Sequence, residues 1–421
     1  VTAVGDIGGK TTDRRAVISV LRRLRSPAGQ SNPFPLYEEL RAMGDVVPAP
    51  WGGHFVTSFE LCNQILRGRN WLVPDFAWLD RQTDTERWRA PATREMFNTL
   101  SRLNAPVHTM RRRSLGRLFD HSTVEDMRPQ VEAHVGHLLE DLETQLRAHG
   151  SADLVATVSD PLPMHTIGRW LDIPAEDYAH ILDFTHRQVH AQELLPSKSE
   201  LAISAKSTIE MRQYFTELIR RRRARPGDDV LSDWIRHWDK EAPDDRAGAD
   251  EVLYSLTMFV TIASLETTAT LLSSLVRLLI DEPSRWDWLR RHPEHIDNAV
   301  EETLRYDPPI HLNSRFSAED TVLSGVPIAK DTTVHVMYGV ANHDPRVNEN
   351  PHVFDILRGG GAHLTFGGGV HYCLGAALAR LEAHTLLRHL LKRFPTLRPA
   401  ASPTYASRMV FRCMTSLRVT T

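Results

Sequence analysis

Cysteine is scarce in this chain: among 421 residues there are three, Cys62, Cys373 and Cys413, far apart in sequence. That scarcity excludes a disulfide framework and a four-cysteine zinc cage, and it fits a reducing cytosol. An excess of one charge is missing as well. The formal net charge is −3, so the overall balance asks for neither nucleic acid nor an acidic partner. Between Val1 and Gln30 no apolar run is long enough for a signal peptide or a membrane anchor, which leads to the expectation of a soluble, cytoplasmic protein with no membrane partner. A strand–Gly-x-Gly-x-x-Gly–helix nucleotide fingerprint is absent too, so redox chemistry here would draw its electrons from another protein.

What is present is ordinary in bulk, with 41% apolar and 24% charged residues, as in a folded globular enzyme. Composition shifts sharply nowhere. Residues 1–30 are expected to form an N-terminal extension, free to be flexible, and residues 31–421 one domain. Strands at 45–48 and 54–57 flank the turn Trp51-Gly52-Gly53. Helical periodicity then covers 124–149, 153–171, 174–189, 199–225, 249–281, 284–292 and 294–306. Short β-like stretches return at 320–328 and 332–338, and a helix over 373–394 follows. The expected fold class is therefore mainly α: one large α-dominated α+β fold with a long central helix and small β-sheets. The arginines at 220–223 and 225 precede Pro226-Gly227. They read as cations complementing a helix C-terminus, not as a nucleic-acid patch.

Two segments carry chemistry. Cys373 closes a glycine-rich stretch, Phe366-Gly367-Gly368-Gly369-Val370-His371-Tyr372-Cys373-Leu374-Gly375, directly ahead of a patterned helix. A thiol placed there faces unpaired N–H groups, which favours the thiolate and suits one strong bond to a metal. The glycines allow tight turning and close approach to a flat ligand. Within the long segment 249–281, the only formal charges between Val252 and Ile280 are Glu266 and Arg277. Such a helix is buried nearly all round or spans a membrane, and a carboxylate in mid-segment argues against lipid. Beside the hydroxyls of Thr267 and Thr268, buried Glu266 reads as a proton-delivery group.

The stretch around Cys373 resembles the haem-binding loop of the cytochrome P450 family, Phe-Gly-x-Gly-x-His-x-Cys-x-Gly, with every fixed position filled. Ala263-Ser264-Leu265-Glu266-Thr267 resembles the family's Ala-Gly-x-(Asp/Glu)-Thr, departing at Ser264. Glu302 and Arg305 match Glu-x-x-Arg, and Arg358 aligns with a third member of that structural network. His108 and Arg112 match His-x-x-x-Arg, although the preceding Asn104-Ala105-Pro106 departs from Asp-Pro-Pro. His343 stands where the family usually has arginine.

The resemblance implies a soluble bacterial haem-thiolate monooxygenase of P450-type fold, with haem b held by Cys373 as iron ligand. Phe366, His371 and Gly375 would complete the loop. His108, Arg112, Arg315 and His371 would bind the haem propionates, and Glu266 and Thr267 would guide protons to dioxygen. The implied reaction inserts one oxygen atom from O2 into a C–H or C=C bond of a bulky organic substrate, as a tailoring step in natural-product biosynthesis. Alternatives are radical coupling, desaturation, peroxide-driven oxidation, or a non-catalytic haem-binding scaffold. Electrons from NAD(P)H would arrive through a ferredoxin reductase and a ferredoxin, steered by a basic face of Arg111, Arg113 and Arg117. Trp71, Trp78 and Trp88 could wall the substrate or pack their loop onto the body. Ile310, His311, Leu312, Met409 and Val410 fall where the family lines its substrate cavity, with His311 more readily read as a satisfied histidine.

Overall fold

A computed structural model describes residues 13–421 apart from 83–85, 117 and 359–360. From the amino end, α1 (Arg14–Leu24) precedes a hairpin of β1 (Val46–Pro48) and β2 (His54–Val56), helix α2 (Phe59–Arg67) and β3 (Trp71–Leu72). Helices α3 (Val107–Gly116), α4 (Arg128–His149), α5 (Tyr178–Gln188) and α6 (Lys198–Ala224) lead to the long α7 (Arg246–Ile280). After α8 (Ile296–Tyr306), strands β4 (Asn313–Ser317) and β5 (Thr333–Val336) return to the first sheet, and α9 (Ala376–Arg393) follows. That sheet runs β1-β2-β5-β4-β3, with β2 and β5 parallel and the other neighbours antiparallel. The mainly helical class with small sheets is as expected.

Helix α7 organises the core. Asp245 caps its start by accepting from the Gly248 N–H at 2.9 Å, satisfying one of the free donors of the first turn. Its first half, from Leu253 to Leu265, packs with α5 and α6 in one apolar cluster. Its second half, from Leu271 to Ile280, packs with α4, α8 and α9 in another. Buried hydroxyls are tolerated because they bond back to the preceding turn, as Thr261 Oγ1 does to the Thr257 carbonyl at 2.8 Å. The helix is long and apolar enough to cross a membrane, yet 78% of its most apolar window is buried inside the protein. Burial by protein accounts for its hydrophobicity.

Three elements differ from expectation for identifiable reasons. The helix expected over 124–149 breaks between His121–Asp126 and α4, where Pro129 lies in the first turn. The helix expected over 153–171 becomes a strand, Ala152–Asp153, a π-turn, Val155–Ser159, and a helix, Pro161–Trp170. Pro161 has no N–H to offer the preceding turn. The helix after Cys373 starts at Ala376, three residues beyond the sulfur. In the stretch set apart as an extension, α1 buries Val17, Val20, Leu21 and Leu24 against Leu36 and Leu40. That i, i+3, i+4, i+7 stripe is flanked by four arginines, which hide it in the sequence.

Candidate active site

The polar break Glu266-Thr267-Thr268 falls where the two clusters of α7 meet, and a cavity of about 290 Å³ opens there. Thr267 lines it together with Cys373, Phe366, His371 and Gly375 from the glycine-rich loop. His108 and Arg112 of α3 and Arg315 of β4 line it as well. The fold thus gathers residues as far apart in sequence as His108 and Gly375 around one space.

The loop presents its sulfur through backbone geometry. The Cys373 N–H donates to the Phe366 carbonyl at 2.9 Å, closing the turn, and the Gly375 N–H points to the Cys373 sulfur. Gly369 has φ +64°, and a Cβ there would lie 2.6 Å from the Leu66 carbonyl of α2. Only glycine fits that close crossing. At Gly375 an added Cβ would meet nothing within 4 Å, so space remains beside the sulfur. Cys373 is accessible on the cavity it lines. Burial nonetheless pushes its thiol pKa up, with the Gly375 N–H, Arg112 and Arg380 opposing in part. The expected thiolate preference is therefore not met by the protein groups alone, because burial outweighs the Gly375 N–H and the two arginines. A bound metal cation would reverse the balance.

Around the same cavity stands positive charge with no acid paired to it among the described residues; Glu382, which also lines the cavity, is pushed toward its neutral form by burial. Arg315 is 4% exposed and donates to the Ser314 carbonyl at 2.9 Å. Arg112 donates to the Tyr372 carbonyl at 2.7 Å. Burial lowers the pKa of each. The rings of His108 and His371 lie 4.2 Å apart between centroids. Burial, aided by neighbouring cations, holds His108 at about 4 and His371 at about 2. His108 Nε2 is buried without a hydrogen-bond partner among the described residues. The buried guanidinium of Arg315, the half-buried one of Arg112 and an orphaned imidazole nitrogen are costly unless an anionic group joins them. With apolar walls from Ala263, Leu271, Phe366 and Leu374 and one sulfur ligand, the residues fit a flat, apolar group bearing carboxylates and a metal, as haem is.

Thr267 and Glu266 part company. The Thr267 hydroxyl stands at the cavity wall and donates to the Ala263 carbonyl at 2.6 Å. Glu266 is 3% exposed and lies outside the cavity lining. Its carboxylate bonds to Arg408 and, at 2.9 Å, to His186 Nδ1 on α5. Burial disfavours its charge, but His186 and Arg408 override that and hold it at about 2. Burial likewise opposes charge on His186, yet Asp160 and Glu266 raise it to about 10. Ser264 lines the cavity and α7 runs through it as unbroken helix.

The supporting network forms as expected. Arg305, fully buried, makes two 2.7 Å bonds to Glu302, and Arg358 adds a third at 3.2 Å. Ile310, Leu312 and Val410 line the cavity, whereas His311 and Met409 do not. His311 is bonded to the Tyr37 hydroxyl. The tryptophans pack their segment onto the body: Trp78 and Trp88, in two short helices, meet edge to face at 5.8 Å, Trp71 of β3 is buried with residues of α2 and the sheet, and none lines the cavity. The basic face is smaller than expected. Arg111 turns inward to the Asn98 carbonyl at 3.0 Å and Ser255, Arg113 is exposed, and Arg117 lies outside the described residues. His343, buried, bonds to the Tyr306 carbonyl at 2.8 Å.

Four residues escaped sequence reasoning. Arg102 lines the cavity, and Arg408 binds Glu266 from the C-terminal segment. Glu193 accepts the N–H groups of Met409, Val410 and Phe411, fixing that stretch against the cavity. Glu382 of α9 is a 2% exposed carboxyl on the cavity wall, which burial pushes up to about 7. Only Glu382 leaves a sequence signal, since it occupies the buried stripe of Leu378, Leu381 and Thr385.

A sequence model of the cytochrome P450 family matches residues 204–405. The chain is similar to the 6-deoxyerythronolide B hydroxylase of Saccharopolyspora erythraea, 36% identical over 292 residues and covering 69% of each protein. It is equally similar to the nocardicin C N-oxygenase of Nocardia uniformis, 36% identical over 310 residues, 72% of this chain and 73% of that one. Among solved structures, P450BioI in complex with hexadec-9Z-enoic acid ligated acyl carrier protein superposes with a TM-score of 0.84. The match is 29% identical and covers 94% of this chain and all of that one. With the sulfur-bearing loop, the cationic cavity and the fold in agreement, the chain belongs to the cytochrome P450 family of haem-iron oxidoreductases.

Proposed function

We propose that this P450 is a monooxygenase that inserts one oxygen atom of O2 into a C–H or C=C bond of a bulky organic substrate, as a tailoring step in bacterial natural-product biosynthesis. The observation that carries the reading is Cys373 opening onto the same cavity as Arg112 and the buried Arg315, neither of which is paired with an acid among the described residues. The named activities of the two relatives, a hydroxylase and an N-oxygenase, support the oxygen-inserting outcome. Haem, when bound, supplies the redox chemistry of oxygen activation. Cys373 would hold its iron through sulfur, with Phe366 and Gly375 shaping the loop. His108, Arg112, Arg315 and His371 would hold its carboxylates.

The chain's own groups handle substrate, water and protons. Apolar side chains from Phe259 to Leu312 line the cavity and favour an apolar substrate over water. Thr267 Oγ1 holds a proton at the cavity wall and exchanges it with what lies inside. Glu266, ionised in its ion pair and bonded to Arg408 and His186 and not to Thr267, would have to accept a proton and leave those partners to pass one on. Electrons from NAD(P)H enter through a ferredoxin reductase and a ferredoxin, in the cytoplasm, with Arg113 part of the docking face.

Turnover under 18O2 tests the reading, with ferredoxin, its reductase and NADPH supplied and the substrate drawn from macrolide or peptide precursors. One labelled oxygen per product is expected. Product formed only with hydrogen peroxide, product lacking the label, or no turnover with any supplied precursor would reject it.

A further inference from the structure

The cavity holds one guanidinium more than the proposed cofactor needs. Arg112 and Arg315, helped by the neutral donors His108 and His371, match two propionates. Arg102 is the third. It ends the single turn Leu100–Arg102 and lines the cavity beside Ser101 and Thr99. Its guanidinium lies over the Phe97 ring, with the ring centroid 5.7 Å from Cζ. No acid pairs with it among the described residues. Burial, then the charges of Arg315 and Arg87, push it down to about 10.

The other cation acting on it is already served. Arg87 donates to the Glu193 carbonyl at 2.7 Å and to the Leu194 carbonyl. A second unserved donor stands on the same cavity wall: Gln192 Nε2 is buried without a partner among the described residues. Two carboxylates from the cofactor face three guanidiniums, and Glu382, the acid lining the cavity among the described residues, makes no bond to Arg102 and is pushed toward its neutral form by burial. Arg102 is half-buried at the cavity wall; a guanidinium there without a counter-ion is costly, and its fork of donors matches a carboxylate.

We infer that Arg102 is an anion receptor of the cavity and takes a carboxylate, from a substrate that is an organic acid or from a haem propionate shared with Arg315. The inference rests on the reading of the cavity as a haem site. It is tested on holoenzyme with Arg102→Gln and Arg102→Lys. One arm titrates the spin-state shift with dodecanoic and 3-phenylpropanoic acids against their methyl esters. The other follows haem transfer to apomyoglobin.

If the carboxylate is the substrate's, wild type prefers acid to ester by about tenfold or more, Gln abolishes the preference, Lys restores part of it, and haem transfer is unchanged. If it is a propionate, Gln speeds haem transfer by about tenfold while Lys does so less, and no acid is preferred. A wild type without acid preference, together with unchanged haem transfer in the Gln variant, overturns the assignment. Failure to take up haem at all sinks the reading of the site instead, so the two failures are distinct.

Discussion

Glu382 shows what a single buried carboxyl does to this protein. It sits at 2% exposure on the cavity wall, with one oxygen unpartnered among the described residues, and burial lifts its pKa from 4.5 to about 7. The folded state therefore holds this proton more tightly than the unfolded chain does. Its contribution to stability is complete below about pH 4.5 and is lost as pH rises through about 7, a change on the order of 3 kcal/mol. Glu382→Gln keeps the shape and removes the titration. Urea midpoints at about pH 5 and about pH 8 should lie closer together in that variant than in wild type; an equal pH dependence in both would contradict the assignment. At this scale, legibility followed local pattern. Cys373, His108 and Arg112 stand in fixed spacings and were readable, while Arg102 and Arg408 acquire their roles only from partners far away in sequence. Glu266 was legible as a buried acid, but not its turn toward Arg408 and His186, because neither partner lies near it in the chain.

Among the elements, α8 anchors the chain just ahead of the loop, its Leu304 carbonyl accepting from the Thr365 hydroxyl at 2.6 Å. Glu302 and Arg305 share one face of that helix, and their ion pair also receives Arg358 and the Asp355 N–H at 2.9 Å. Arg305 is fully buried and Glu302 is 2% exposed, so the pair is a structural lock unlike an exposed i,i+3 pair. Glu302→Ala leaves two arginines facing each other without an acid, at a cost of about 3–5 kcal/mol. The expected result is a lower thermal midpoint and weaker haem retention, seen as a lower haem-to-protein absorbance ratio after purification. A variant as stable and as fully loaded as wild type would show the lock to be dispensable. Long periodic helices such as α6 and α7 were readable throughout their length. Where the reading failed, at Pro129, Pro161 and the start of α9, a missing N–H or a tight loop ended helical pairing that composition alone would continue.

Over the whole molecule, two apolar clusters share one helix, and the cavity lies at their junction. Between Val252 and Ile280 the one carboxylate of α7, Glu266, sits at that junction beside Thr267 and Thr268, while hydroxyls elsewhere on the helix, such as Thr261 and Ser273, bond back to the preceding turn. The same position lets the cysteine loop, α3 and β4 converge on one space from three directions. None of that convergence can be read from periodicity; it was legible only through the family resemblance of the motifs. The account depends on the sulfur of Cys373 binding iron. The most direct measurement is the absorption spectrum of the dithionite-reduced protein under carbon monoxide, for wild type and Cys373→Ser. A strongly red-shifted Soret band in wild type, lost in the serine variant, is the predicted result. An unshifted band in wild type, or a shifted band that survives the substitution, would contradict the account.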